Sequence, residues 1–215
     1  MKSRTLLVAS LTLLLGACSS AYYGAMEQIG VHKRDILVDR IESAQSAQQE
    51  GQEQFKDALE QFRSVVNFDG GELQRIYDRL NREFEDTEAA AENIRSRIRA
   101  VESVAEDLFD EWEDELSLYN NASLRRDSEQ QLNATRQRYT RLIQAMHRAE
   151  RTLDPVLDNL RDNVLYLKHN LNARAIASIR GELDAINTDV DRLIQAMQAA
   201  IAESDRFIAE MRQAS

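Results

Sequence analysis

Cysteine and proline occur once each in this 215-residue chain, tryptophan once, glycine seven times, and aromatic residues make up 6%. With Cys18 alone, no disulfide can form within the chain, and a framework stapled by bridges is excluded. So few prolines and glycines leave few places at which a helix must stop, while Ala, Leu, Glu, Gln and Arg dominate the composition. The chain therefore reads as almost wholly helical, and a single domain accounts for its length. Motifs of the common chemistries are missing as well: there is no glycine-rich phosphate loop, no acidic loop with calcium spacing and no nucleophilic serine elbow.

Basic charge is the next shortage. Formal net charge is -10, with 27 Lys and Arg against 37 Asp and Glu. Nucleic acid is a poor partner for such a chain, since binding it requires a surface that neutralises phosphates. Long apolar runs are also scarce, the one exception being the ten residues from Leu6 to Leu15, preceded by Lys2 and Arg4. That run is too short for a permanent membrane span and has the form of a secretory signal.

The run ends in Leu15, Gly16, Ala17 and Cys18, which resembles the lipobox of bacterial lipoproteins. The resemblance implies removal of residues 1–17, acylation of the Cys18 thiol by palmitate-type chains, and acylation of the new amino terminus. Several acyl chains on one residue exceed the two signals needed for stable anchoring, at roughly 0.8 kcal/mol per buried methylene. Ser19 and Ser20 stand where lipoproteins of the inner membrane often carry aspartate, so the resemblance implies the outer membrane, facing the periplasm, with the inner membrane as the alternative. Loss of Lys2 and Arg4 leaves 25 basic against 37 acidic residues, a mature charge of -12.

Residues 18–26 form the lipidated cysteine and a tether, in which Tyr22 and Tyr23 either sit near headgroups or begin helix packing. A bundle domain is expected over 27–212. Its first helix, about 27–67, carries Ile29, Ile36, Leu37, Ile41, Ala44, Phe55, Ala58, Leu59, Phe62, Val65 and Val66 at helical spacing, with a weak middle at Gln48 and Gly51. Gly70 and Gly71 supply the next break, and Asp69 with Glu72 has capping-box spacing. The second helix, about 70–119, repeats Leu73, Tyr77, Leu80, Phe84, Thr87, Ala91, Ile94, Ile98, Val101, Ala105, Leu108 and Trp112 in steps of four and three, a left-handed coiled-coil seam. Asp78 with Arg82 and Glu92 with Arg95 are expected as ion pairs on its solvated face.

Asn120 to Ser123 offer N-cap oxygens for a third helix, about 122–171, whose seam runs Leu124, Leu132, Thr135, Tyr139, Leu142, Met146, Ala149, Leu153, Val156, Leu160, Val164, Leu167 and Leu171. Its three-four phase continues across Pro155, so a kink is expected there, with Asp154 able to cap a new helix. The fourth helix, about 173–212, repeats Ile176, Ile179, Leu183, Ile186, Val190, Leu193, Met197, Ala200, Ser204, Phe207 and Met211. The predicted fold is all-α: a long antiparallel up-down-up-down four-helix bundle with coiled-coil seams. Helices of 40 to 50 residues are roughly 60 to 75 Å long at 1.5 Å per residue.

Five blocks then resemble one family over essentially the whole mature chain. They are HKRDILVDRIE at His32 to Glu42, EQF at Glu53 to Phe55, VVNFDGGEL at Val65 to Leu73, LFDEWEDEL at Leu108 to Leu116, and LYLKHNLNARAIASIRGEL at Leu165 to Leu183. The family is the domain of unknown function 2959 of bacterial lipoproteins. It carries no established activity or catalytic residues, so the resemblance implies the fold and the address and nothing of the chemistry. Gly51 falls where a helix former is expected.

Candidate chemistry is thin. A di-metal bundle site needs a glutamate three residues before each histidine, and those places before His32, His147 and His169 hold Ile29, Gln144 and Tyr166. These histidines read as helix-surface or turn residues. Asp110, Glu111, Glu113, Asp114 and Glu115 could hold a cation, but on a helix they point in several directions and read as a solvated face. Trp112 is in phase with the seam, and Thr87, Thr135 and Ser204 would form polar layers that fix register. No metal or cofactor is expected.

The break at Lys168, His169, Asn170, Asn172 and Arg174 differs, being locally basic on an acidic chain. Capping explains the asparagines, and a docking surface is the sharper reading. With Cys18 in the membrane, up-down topology holds this turn and Phe68 at the far end, where they would meet a protein partner of the envelope. The expected function is a membrane-anchored scaffolding or docking rod, without enzymatic activity. The alternative is a module binding an apolar or amphipathic ligand such as lipid in a loosened core near Gly51 and Pro155, lined by Phe55, Phe62 and Met146. Seams may close within or between chains on this pattern, which leaves a homo-oligomer open.

Overall fold

The computed structural model describes residues 32–67, 73–170 and 172–213, and every regular element among them is a helix. In chain order these are α1 (Lys33–Val66), α2 (Leu73–Leu116), α3 (Ala122–Arg151), α4 (Leu153–His169), α5 (Ala173–Arg180) and α6 (Leu183–Gln213). The signal, Cys18, the tether, Phe68 and the Asp69–Glu72 capping pair lie outside the described residues. No described helix is long and apolar enough to cross a membrane.

The seams account for the core. From Leu80 to Ala105 every seam position of α2 is buried, and Leu73, Tyr77, Leu108 and Trp112 at its ends are partly so. Burying a large aliphatic or aromatic side chain such as Leu37, Ile41, Phe55 or Phe62, all fully enclosed, contributes about 1.5–3 kcal/mol. Thr87 and Ser204 are buried on the seam as expected, and each hydroxyl donates to the carbonyl four residues back, Glu83 at 2.6 Å and Ala200 at 3.0 Å. Their polarity is thereby matched without a second helix.

Around that core the helices close a ring of contacts: α1 packs on α2 and α6, α2 on α3 and α4, and these two on α6. Polar pairs give the register. Lys33 meets Glu111 and Gln54 meets Glu83 between α1 and α2; Glu42 meets Arg212 and Gln45 meets Asp205 between α1 and α6. From α2, Glu102 meets His147 of α3 and Glu88 meets Arg161 of α4; from α6, Glu210 meets Arg138 of α3 and Asp189 meets Asn159 of α4. In each packed pair, residue numbers fall along one helix as they rise along the other. The elements form a helical bundle.

Several local expectations are corrected. The interruption in the third helix falls at Thr152, not at the proline. Pro155 has no N–H for the carbonyl of Arg151 four residues back, and its ring crowds that carbonyl. Thr152 instead directs both its N–H and its hydroxyl to Ala149 O, at 3.0 and 2.6 Å. The apolar phase survives, with Ala149, Leu153, Val156 and Leu160 all buried. Asp154 does not cap the new helix but reaches Arg95 of α2, which leaves Glu92 to pair with Arg99. Asp78 accepts from Gln74 at 2.9 Å.

The fourth helix is two helices. Gly181 and Glu182 interrupt it, their N–H groups bonding three residues back to Ser178 O and Ile179 O at 3.2 and 3.1 Å. A glycine here weakens the helix by about 1 kcal/mol relative to alanine, and the tighter bonding follows. Gly51 has the opposite role. It is buried inside α1, and a Cβ there would sit 2.6 Å from Ile94 Cδ1, with Met197 Cε at 3.7 Å. The middle of α1 is therefore where helices approach closely, not where they loosen.

Candidate functional site

At the end of α4 the backbone decides which groups of the predicted docking turn are left for a partner. Asn170 ends the helix, its N–H bonding to Leu167 O at 3.1 Å and its side-chain amide donating to Tyr166 O at 2.9 Å. Asn172 N-caps α5, its side-chain oxygen accepting from Ala175 N–H at 3.0 Å. Both amides thus satisfy orphan helix-end groups, as capping requires. Lys168, His169 and Arg174 are exposed, and their side chains form no ion pair or hydrogen bond among the described residues. Phe68 lies outside the described residues.

Two neighbours of this turn escaped the seam reading. Leu165 and Tyr166 fall outside the three-four phase, and the fold leaves them 50% and 40% exposed. Tyr166 forms one wall of an open groove of about 450 Å³ between α4 and the α5–α6 junction. Asn159, Asp162, Asn163, Ser178, Ile179 and Glu182 complete it. Ser178 Oγ donates to Arg174 O at 3.2 Å, so its hydroxyl is directed to the backbone and faces no base. The groove offers an aromatic ring, amides and two carboxylates. That combination suits recognition of a polar surface, and no nucleophile and base are paired in it.

The same end of the bundle holds the C-terminus of α1. Arg180 donates to Val66 O at 2.7 Å, tying the end of α1 to the end of α5. Lys33 and Arg212 lie at the opposite end, against Glu111 and Glu42.

Of the histidines, His147 departs from the surface reading. Its Nδ1 lies 2.8 Å from Glu150 Oε2, and its Nε2 lies 2.8 Å from Glu102 Oε1 on α2. Burial alone pulls the imidazole pKa down, but the two carboxylate hydrogen bonds and their charges outweigh it and raise the pKa above the ordinary value. The ring nitrogens point away from each other, so the two carboxylates clamp the ring and do not converge with it on one ion. Glu150, three residues on, was legible in the sequence; Glu102, from another helix, was not. His32 sits at the N-cap of α1 without a side-chain cap, and His169 is exposed.

The acidic run around Trp112 disperses as expected. Glu111 pairs with Lys33 and Glu113 with Arg136, and no described group of three or more His, Cys, Asp or Glu side chains is placed to hold a metal ion. Trp112 is half-buried, and its indole N–H donates to Ser128 Oγ at 2.8 Å across the α2–α3 hairpin. With Arg34, Gln131, Thr135, Arg138 and Met211 it lines a groove of about 320 Å³ at the end where α1 begins. The residues proposed to line a loosened core, Phe55, Phe62 and Met146, are fully buried, and Gly51 holds the helices close.

These features define an all-helical bundle protein whose exposed large hydrophobic side chains, among the described residues, stand toward its two ends. The chain belongs to the family described as protein of unknown function (DUF2959), whose model matches residues 22–211. No curated protein and no solved structure matches it.

Proposed function

We propose that this protein is a membrane-anchored periplasmic lipoprotein of the bacterial cell envelope that acts as a scaffold or docking module, without catalytic activity. In this reading residues 1–17 are a cleaved signal, Cys18 carries the lipid, 18–26 is a tether, and 27–212 is one domain. That domain is an antiparallel up-down-up-down four-helix bundle, a topology supported by the opposed trend of residue numbers in pairs such as Lys33–Glu111 with Gln54–Glu83 and Glu102–His147 with Glu88–Arg161. The outer membrane, facing the periplasm, is its address, and the distal turn meets a protein of the envelope. The acidic chain makes nucleic acid an unsuitable partner.

One observation carries the docking assignment: Lys168, His169 and Arg174 stand exposed, and unpaired among the described residues, near the exposed Leu165 and Tyr166. Aromatic anchors flanked by charged groups are the composition of protein interfaces. A ligand inside the core is not favoured by any comparable observation. The test combines two variants in cells. Cys18→Ser should move the chain from the membrane to the soluble fraction, and Tyr166→Asp with Lys168→Glu should abolish co-isolation of an envelope protein while leaving the chain membrane-bound. Unchanged fractionation of the first variant contradicts the anchor, and an unchanged co-isolated set from the second contradicts the docking face.

A further inference from the structure

Five large hydrophobic side chains stand exposed among the described residues, and three of them lie on one tip: Leu118 at 76%, Tyr119 at 41% and Leu124 at 56%. They occupy the hairpin between α2, which ends at Leu116, and α3, which begins at Ala122. Isolated exposed apolar side chains are ordinary, but three within seven residues at a protruding turn are a patch. The sequence placed Leu124 on the core seam and carried the second helix to residue 119. In the fold both leave the core because no described helix reaches far enough to cover them.

The level of the tip follows from cross-helix pairs. Lys33, at the start of α1, sits opposite Glu111, and Leu118 lies seven residues further along the α2 side. At 1.5 Å per residue the tip extends about 10 Å beyond the start of α1. It is the end of the bundle to which the N-terminal segment leads. The hairpin is braced below the tip by the Trp112–Ser128 hydrogen bond and the Glu113–Arg136 ion pair. Its turn is fixed by Asn121, whose side chain accepts from Ser123 N–H and Leu124 N–H at 2.9 and 3.3 Å.

Charge at the tip has a matching pattern. Arg125 and Arg126 follow Leu124 directly, are exposed, and form no ion pair among the described residues. The first turn of α3 contains no acidic residue. Two cations at a helix N-terminus oppose the macrodipole, an arrangement that anions outside the chain would relieve. Asp114 and Glu115 lie behind the tip on α2, and Asp127 lies behind the two arginines on α3.

We propose that this hairpin tip is a second, non-covalent contact with the phospholipid surface: Leu118 and Leu124 enter the acyl boundary, Tyr119 sits at headgroup level, and Arg125 and Arg126 meet lipid phosphates. The proposal rests on the anchored reading only for the membrane it acts on. Thirteen residues, 19–31, separate Cys18 from His32, a span of fourteen steps that reaches at most about 50 Å when extended. A tether of that length brings the tip to the surface without specifying an orientation. The tip supplies the orientation, seating the bundle end-on with the 168–174 turn farthest from lipid.

The test imposes the tether so that it does not depend on how the cell treats Cys18. The mature chain with a free Cys18 thiol is coupled to maleimide lipid in phosphatidylethanolamine–phosphatidylglycerol vesicles, with a genetically encoded environment-sensitive fluorophore replacing Asn120 or Arg174. Lipids spin-labelled on the acyl chain serve as quenchers. A blue shift and strong quenching at position 120, none at 174, and loss of both signals in Leu118→Asp with Leu124→Asp are the expected results. Equal signals at the two positions, or no quenching at 120, would overturn the proposal, whether or not the exposed tip is then found to meet a second copy. Because Leu118 and Leu124 lie outside the core, retained helical circular dichroism of the double variant checks its fold. Fractionation of Cys18→Ser reads the covalent anchor separately.

Discussion

Gln48 is fully enclosed, and neither atom of its amide has a hydrogen-bond partner among the described residues. An unmatched buried amide costs about 1–3 kcal/mol. Gln48→Met keeps the length of the side chain and removes both polar atoms, so it should raise stability by roughly that amount. The thermal midpoint should then rise by about 2–4 °C per kcal/mol for a domain of this size; a lowered midpoint would mean that the amide has a role in the fold. His147 gives a second prediction. Its folded pKa lies above the value it has when unfolded, so its clamp contributes fully below the unfolded pKa of about 6.5 and is lost as pH rises through the higher folded pKa. The stability difference between wild type and His147→Gln, from urea midpoints, should shrink as pH rises above about 6.5 and through the higher folded pKa. A difference independent of pH would show that the ring acts by packing alone.

At the scale of helices, Gly51 decides how closely α1 and α2 pack. Adding a methyl group there improves helix propensity by about 1 kcal/mol but drives it into Ile94 Cδ1, and overpacking of a core typically costs about 1–3 kcal/mol. Because the atom in the way is the free end of the Ile94 side chain, Gly51→Ala should gain less than the propensity term alone. Ile94→Val removes the atom in the way, so the double variant should be more stable than the sum of the two single changes implies. An additive cycle would contradict close packing at this point. The seams of these helices were legible from the sequence because 3.5-residue spacing is a local property. Pairing across helices was not: Arg95 passes over the nearby Glu92 for Asp154, and His147 finds Glu102, partners that only the fold brings within reach. Breaks were legible where several cues coincide, as at Asn120–Ser123. The interruption at Gly181 was missed because Ile179 and Leu183 keep the apolar phase through a single weak helix former.

For the whole molecule, the helical bundle gathers the apolar residues inside and leaves two unlike ends. One carries the start of α1 and the Leu118–Leu124 hairpin; the other carries the 168–174 turn with Leu165 and Tyr166. The basic turn was recognisable in the sequence because it interrupts an acidic chain. Its apolar half was not, since Leu165 and Tyr166 look like any other residues of a helix until the packed face is known. Division of labour between the ends, lipid at one and a protein partner at the other, is the central claim of this account. It is tested most directly by photo-crosslinking in cells from Asn170 and Arg174, with Asn121 as the membrane-proximal comparison, followed by mass spectrometry. A discrete envelope protein captured only from the distal pair, and lost when Tyr166 and Lys168 are substituted, is the predicted result. The same adducts from all three positions, or a distal set unchanged by those substitutions, would contradict it.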